Sequence, residues 1–181
     1  LVGGVVPGRL GTAHPNIVPY QAFATADGYI MIAVGNDRQF GDCMRCCGLP
    51  DLAGDARFRR NEDRLANRAE LVALMSKVLA RESSAHWVAE LAACGVPCSP
   101  INDIGEVFSS DYANERGMVR TVSHAYDSDL PTVANPVRFS DDSVDYRSAP
   151  PLLGQHSGEV LTDWLGYSAK TISELKKAGT I

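Results

Sequence analysis

Residues 20–26 and 29–34 are two short apolar runs, rich in aromatic and β-branched side chains, that stand either side of Asp27-Gly28. A β-hairpin joins such a pair most briefly, because a two-residue primed turn needs positive φ and Asp-Gly accepts it. A hairpin sets register, and register decides which alternate residues face a core. Gly35 then releases the chain into Asn36-Asp37-Arg38-Gln39-Phe40. Asn36 is placed to cap a helix there, and Gln39, three residues on, to reach back to it. Ahead of the hairpin runs a polar, Pro-punctuated loop, residues 11–15, that carries His14. Loop, hairpin and helix start therefore converge on one corner, which presents backbone N–H groups and polar side chains to a ligand.

The remaining chain alternates helical and extended patterns. Phe40, Cys43, Met44 and Cys47 recur at three- and four-residue spacing, and Gly48 with Pro50 beyond it marks the helix stop. Residues 52–60 read as irregular, anchored by Phe58. From Asn61 a stripe of Leu65, Leu71, Val72, Leu74, Met75, Val78 and Leu79 predicts a helix. Arg64, Arg68, Glu70, Lys77 and Arg81 fall on its solvated face. Ser83-Ser84 caps a shorter helix that buries Trp87, Val88, Leu91 and Ala92 and ends at Gly95. Residues 96–101 are extended, because residues before proline avoid the helical region. Asn102 or Asp103 caps a short helix through Phe108, Asp111 caps the next turn, and Gly117 ends it. Residues 118–124 and 132–139 predict strands that Pro131 and Pro136 confine to edges. A polyproline-like linker over residues 149–154 precedes two helices stopped by Gly166 and Gly179. The fold class is α+β.

Bulk properties narrow the function. The longest apolar runs of the 181 residues are far shorter than a membrane span, and no basic segment leads into an apolar core as an export signal requires. A cytoplasmic protein without a membrane partner is expected. The net charge of −5, with Lys and Arg scattered among acids, argues against a nucleic-acid partner. Five cysteines without an export signal read as reduced thiols. Cys43, Cys46 and Cys47 lie on one helix and lack a histidine pair, so they read as buried structural thiols and no metal site is assigned. His86 has no carboxylate or hydroxyl partner at useful spacing and reads as a surface or packed histidine. Arg57, Arg59 and Arg60 read as surface cations without a Gly-rich phosphate cradle. Asp141, Asp142 and Asp145 lack Ca²⁺-loop spacing and read as a solvated turn. No nucleophile elbow, Walker loop or dinucleotide fingerprint occurs.

The order of several motifs is more specific than any one of them. They are P-G-R-L-G-T-A-H-P-N-I-V-P-Y-Q-A-F (residues 7–23), A-D-G-Y-I-M-I-A-V-G-N-D-R-Q-F (26–40) and D-A-R-F-R-R-N-E-D-R-L-A-N-R-A-E-L (55–71). C-G-V-P-C-S-P-I-N (94–102), A-P-P-L-L-G-Q-H-S-G-E-V-L (149–161) and L-G-Y-S (165–168) follow. This series resembles the C-terminal half of family III CoA-transferases, a group that includes formyl-CoA transferase, L-carnitine CoA-transferase and α-methylacyl-CoA racemases.

The resemblance implies the α+β small domain of a larger α/β protein whose Rossmann-like large domain is mostly absent from this chain. Residues 1–18 would be a linker and active-site-facing loop, 19–138 the small domain, and 139–181 a Pro-containing linker with C-terminal helices returning to the large domain. A start at Leu1-Val2-Gly3-Gly4, without an initiator methionine, fits a fragment of a longer protein. The implied chemistry exchanges CoA between an acyl-CoA and a small carboxylate through an aspartyl-CoA thioester, with no tightly bound cofactor and a homodimeric parent. The nucleophilic aspartate lies upstream, so this chain holds no catalytic residue. Gly11, Thr12, His14, Pro15, Asn36, Asp37 and Gln39 are the candidate residues lining the substrate and CoA site. In oxalate-using members several glycines stand where this chain has G-T-A-H-P, so a stiffer loop is expected, with His14 the contact for a carboxylate substrate. Racemases of this group tend to have I-E-P-Q-F where this chain has N-D-R-Q-F, which favours a transferase. A racemase and a non-catalytic binding or interaction domain of the same fold are the alternatives.

Overall fold

In a computed structural model, residues 3, 4, 6 and 8–181 are described. Pro7 of the first motif and residues 1, 2 and 5 of the expected 1–18 linker lie outside the described residues. The chain forms two compact units, Leu1–Asn102 and Asp103–Ile181.

The first unit is built on an antiparallel sheet of β1 (Tyr20–Ala24), β2 (Tyr29–Ala33) and β3 (Cys98–Pro100), in that order. Tyr20 pairs with Ala33 and Phe23 with Ile30, and Ile32 faces Cys98. This register turns Phe23, Ile30 and Ile32 into the core. The connection differs from the expected primed turn. Thr25 N–H donates to Gly28 C=O at 3.0 Å, so Ala26 and Asp27 are the central residues, and among the described residues only other glycines adopt positive φ. A tertiary contact explains the shift. An Asp27 carboxylate oxygen accepts from Ser84 N–H at 2.7 Å and from Thr25 Oγ1 at 3.1 Å, and Thr25 Oγ1 lies 2.7 Å from Ser84 Oγ.

Helices close over one face of that sheet. α1 (Asp37–Cys46) buries Phe40, Cys43 and Met44, as its spacing predicts. Residues expected to be irregular include a single-turn helix, α2 (Pro50–Gly54), that proline initiates at the first helical position. The helix expected from Asn61 is broken at Asn67 into α3 (Asn61–Ala66) and α4 (Arg68–Leu79). Leu71, Met75 and Leu79 of α4 join Phe58 in the core. α5 (Ser84–Ala93), capped by Ser83, adds Trp87 and Leu91.

One polar side chain is enclosed with them. Arg64 is 1% exposed, which overturns its assignment to a solvated face. Its Nε donates to Val18 C=O at 2.7 Å, Nη1 to Phe58 C=O at 2.9 Å and Arg59 C=O at 3.2 Å, and Nη2 to Asp37 Oδ1 at 2.8 Å. The guanidinium also sits 4.4 Å from the centre of the Phe40 ring. A buried cation is tolerable when its donors are met, and a planar fork meets several acceptors at once where an ammonium does not.

The second unit is smaller in its ordered packing. α6 (Ile104–Ser109) carries a reciprocal cap between Asp103 and Glu106. α7 (Asp111–Glu115) is capped by Ser110, whose hydroxyl accepts from Ala113 N–H at 3.2 Å; Asp111, the expected cap, is the first helical residue. A hairpin of β4 (Val119–His124) and β5 (Asp127–Val133) follows. The strand expected at residues 132–139 thus ends at Val133, because β5 pairs early and Pro136 lacks an N–H to extend the ladder. Beyond the linker come α8 (Ser157–Glu159), continued by a wider π-type turn (Val160–Trp164), and α9 (Ala169–Lys177), capped by Ser168.

Two measurements check this packing. Arg64→Lys keeps the charge but loses most of the fork, and a loss of about 3 kcal/mol is expected in denaturant unfolding. A change below about 1 kcal/mol would show that the carbonyls find other donors. Asp27 titrates below its ordinary value, chiefly because Ser84 N–H binds the carboxylate, with the Ser84 and Thr25 hydroxyls adding to it. A lowered folded pKa gives stability that is present above the ordinary carboxylate range and is lost as pH falls through the folded value. The difference in melting temperature between wild type and Asp27→Asn is therefore expected at neutral pH and should shrink below about pH 4.

Candidate functional site

The loop before β1 is tied down along its length. Gly11 turns the chain at φ +61, where side-chain-bearing residues are disfavoured. Thr12 Oγ1 accepts from Ala22 N–H at 3.1 Å, and His14 N–H donates to Tyr20 C=O at 2.8 Å. The His14 ring stacks on Tyr20 with centroids 5.3 Å apart and planes 15° from parallel. Its Nδ1 accepts from Asn16 N–H at 3.1 Å, which leaves Nε2 as the ring nitrogen free of that bond. From below, Arg68 Nη2 donates to His14 C=O at 2.9 Å and Pro15 C=O at 3.0 Å. The other terminal nitrogen, Nη1, is buried without a partner among the described residues. Asn61 completes the attachment, donating to Asn16 C=O at 2.8 Å and accepting from Val18 N–H at 3.1 Å.

The start of α1 forms the other part of the corner. Asn36 Oδ1 accepts from Gln39 N–H at 2.9 Å, the expected cap. Gln39 reaches back one residue further than expected, its Oε1 accepting from Gly35 N–H at 2.9 Å. Asp37 is exposed and is held by Arg64 on its inner side. Because Arg64 also grips Val18 C=O, one guanidinium joins the end of the loop to the beginning of the helix. Gly11, Thr12, Pro15, Asn36 and Asp37 are exposed, and His14 and Gln39 are half-buried. The corner thus offers an imidazole, amide groups and a helix N-terminus to solvent, donors suited to a carboxylate or a thioester oxygen.

Arg64 and Arg68 were missed as builders of this corner. The signal was present, since positions 64, 68, 71 and 75 fall at i, i+4, i+7 and i+11 and share a face with Leu71 and Met75. The other candidates stay apart. Arg57 binds Asp55 at 2.6 Å and also Glu70, and the Arg57 guanidinium and N–H hold the Asp55 carboxyl below its ordinary range. His86 is exposed and edge-on to Trp87. Only Cys43 and Cys47 are buried thiols; Cys46 and Cys98 are half-buried and Cys94 is exposed. Burial together with the neighbouring Cys94 pushes the Cys46 thiol up to about 12. Among the described residues no group of three or more His, Cys, Asp or Glu is arranged to hold a metal ion. Nor is any helix among them long and apolar enough to cross a membrane.

Comparison with known proteins places this corner in context. Residues 1–157 match the sequence model of CoA-transferase family III. Over 181 residues the chain is 38% identical to succinyl-CoA:glutarate CoA-transferase of Mus musculus, covering 100% of this chain and 42% of the relative. It is 33% identical over 168 residues to acetyl-CoA:oxalate CoA-transferase of Acetobacter aceti, covering 92% and 42%. The crystal structure of a CAIB/BAIF family protein from Brucella suis superposes with a TM-score of 0.77 at 39% identity, covering 90% of this chain and 42% of that one. The chain thus spans about two fifths of the length of the relatives it matches. It belongs to CoA-transferase family III.

Proposed function

We propose that this chain is the part of an acyl-CoA:carboxylate CoA-transferase that walls the active site, acting with an aspartate nucleophile carried elsewhere in the whole protein. The observation that supports it most is the 38% identity to a succinyl-CoA:glutarate CoA-transferase across every residue of the chain. That similarity also suggests the substrates: the CoA ester of a short dicarboxylic acid as donor and a second dicarboxylate as acceptor. The whole protein is proposed to be a cytoplasmic homodimer without a tightly bound cofactor. Residues 1–18 would be its loop toward the site, 19–138 its small domain and 139–181 the return to its large domain.

In the proposed reaction the aspartate attacks the thioester carbonyl and expels CoA thiolate, giving an acyl-aspartyl anhydride. The thiolate attacks the aspartyl carbonyl and releases the donor carboxylate, leaving an aspartyl-CoA thioester. The acceptor carboxylate repeats the exchange in reverse, forming the new acyl-CoA and freeing the aspartate. Covalent catalysis divides one difficult substitution into easier ones, provided water is kept from the intermediates.

Gly11, Thr12, His14 and Pro15 would supply one wall, and Asn36, Asp37 and Gln39 the other. With Thr12, His14 and Pro15 all bonded to the fold, the loop acts as a fixed wall with little freedom to open. His14 Nε2 would donate to the acceptor carboxylate, the imidazole being oriented by Asn16 N–H and Tyr20. Asp37 is occupied by Arg64, an arrangement that suits a positioning part better than a base for α-proton transfer and so favours transfer over racemisation.

The reading is tested on the full-length protein with succinyl-CoA and glutarate. CoA exchange is expected, together with an enzyme-bound CoA thioester detectable by mass; absence of both with several dicarboxylates would overturn it. His14→Ala should raise KM for the acceptor about tenfold, the worth of one hydrogen bond to a charged group, while KM for the donor changes little. Arg68→Met should loosen the loop and raise hydrolysis of the donor relative to transfer, measured as free CoA released per new acyl-CoA.

A further inference from the structure

The second unit contains four arginines, Arg116, Arg120, Arg138 and Arg147, in an acid-rich stretch of chain. Arg147 is paired with Asp145 at 3.1 Å. The other three line a single hollow of about 470 Å³ between the end of α7 and the segment that follows β5. Among the described residues none of these three lies within ion-pair distance of a carboxylate. Unpaired arginines at a surface normally point apart, because like charges repel. Here the backbone gathers them. Gly117, at φ +55, lets the Arg120 guanidinium lie so close that a Cβ at that position would stand 3.3 Å from Nη2. Arg138 Nη2 donates to Arg116 C=O at the end of α7.

We propose that this hollow binds a phosphoryl-bearing small molecule. A carboxylate is satisfied by one bidentate guanidinium, whereas a phosphoryl group has more oxygens and more charge and takes donors from several sides. One carboxylate, Asp142, also lines the hollow, and its Oδ1 accepts from the adjacent Ser143 N–H at 2.7 Å. Three guanidiniums against it leave the site cationic. Its size falls within the range of small-molecule pockets, with room for more than the anion alone. Tyr112, Phe139 and Tyr146 supply exposed apolar faces for the organic portion. Tyr146 is fixed by its hydroxyl, which accepts from Asn135 N–H at 2.6 Å. The inference does not depend on the CoA-transferase reading, since it uses only the side chains of this hollow.

The test is calorimetric titration of the full-length protein with inorganic pyrophosphate at low salt, with succinate as the carboxylate comparator. Submillimolar binding of pyrophosphate is expected, weakening as salt is raised because the arginines are exposed. Arg116→Gln and Arg120→Gln should each weaken it about tenfold, with Tyr and Arg resonances of the hollow shifting only in the wild type. Among the described residues the Arg116 side chain donates no hydrogen bond, and its backbone N–H, which donates to Tyr112 C=O, survives substitution, so Arg116→Gln leaves the α7 end intact and keeps the test informative if Arg120→Gln unfolds. Equal pyrophosphate affinity in wild type and Arg116→Gln, or succinate binding as tight as pyrophosphate and equally sensitive to that change, would overturn the proposal. Transfer activity in the same samples reports separately on the enzyme.

Discussion

The first unit depends on one buried cation. Arg64 reaches three backbone carbonyls and one carboxylate, drawn from the loop end, the segment before α3 and the start of α1. Enclosing a charge is costly, and the cost is offset only when its donors are met, so these three segments are obliged to meet α3 in one arrangement. Apolar packing around Phe40 and Phe58 would tolerate small shifts. A guanidinium with fixed directions does not, and it makes the geometry of the corner specific.

Much of this was legible before the structure. The hairpin pairing, the Asn36 cap, the stripe through Leu71, Met75 and Leu79, and the glycine stops all follow from local rules of turn, cap and periodicity. The misses have tertiary causes. The turn moved by one residue because Asp27 bonds Ser84, a partner 57 positions away that no local rule sees. Arg64 was assigned to solvent by its charge, although its spacing set it on the apolar face, because burial was decided by carbonyls at Val18 and Phe58. The break at Asn67 follows the same logic, since Asn67 Nδ2 donates to Arg57 C=O and to Asp63 C=O. At the candidate site, His14 and the start of α1 were picked out by the loop, hairpin and cap pattern. The arginines beneath them were not, because their role lies in backbone contacts.

Function was legible to a different depth again. Residue chemistry alone stops at an α+β domain with a polar corner, since the chain contains no nucleophile in a recognisable setting. Family membership carries the inference further because ordered motifs persist where single ones are uninformative. The structure adds how the motif residues are held. Gly35 N–H is spent on Gln39 and His14 is stacked on Tyr20, so both sides of the corner are held in place within this chain.

The tethering of the loop also bears on how this region moves. Beside local bonds and those to β1, residues 12–18 are bonded to partners remote in sequence: Asn61 and Arg64 of α3 and Arg68 of α4. A surface loop ordinarily frays alone, with an opening free energy near zero. This one shares its bonds with α3 and with α4, which packs Leu71 and Met75 into the core, so its opening is coupled to theirs. Its amide protons should therefore exchange with solvent in the company of the core and on the core's slow timescale.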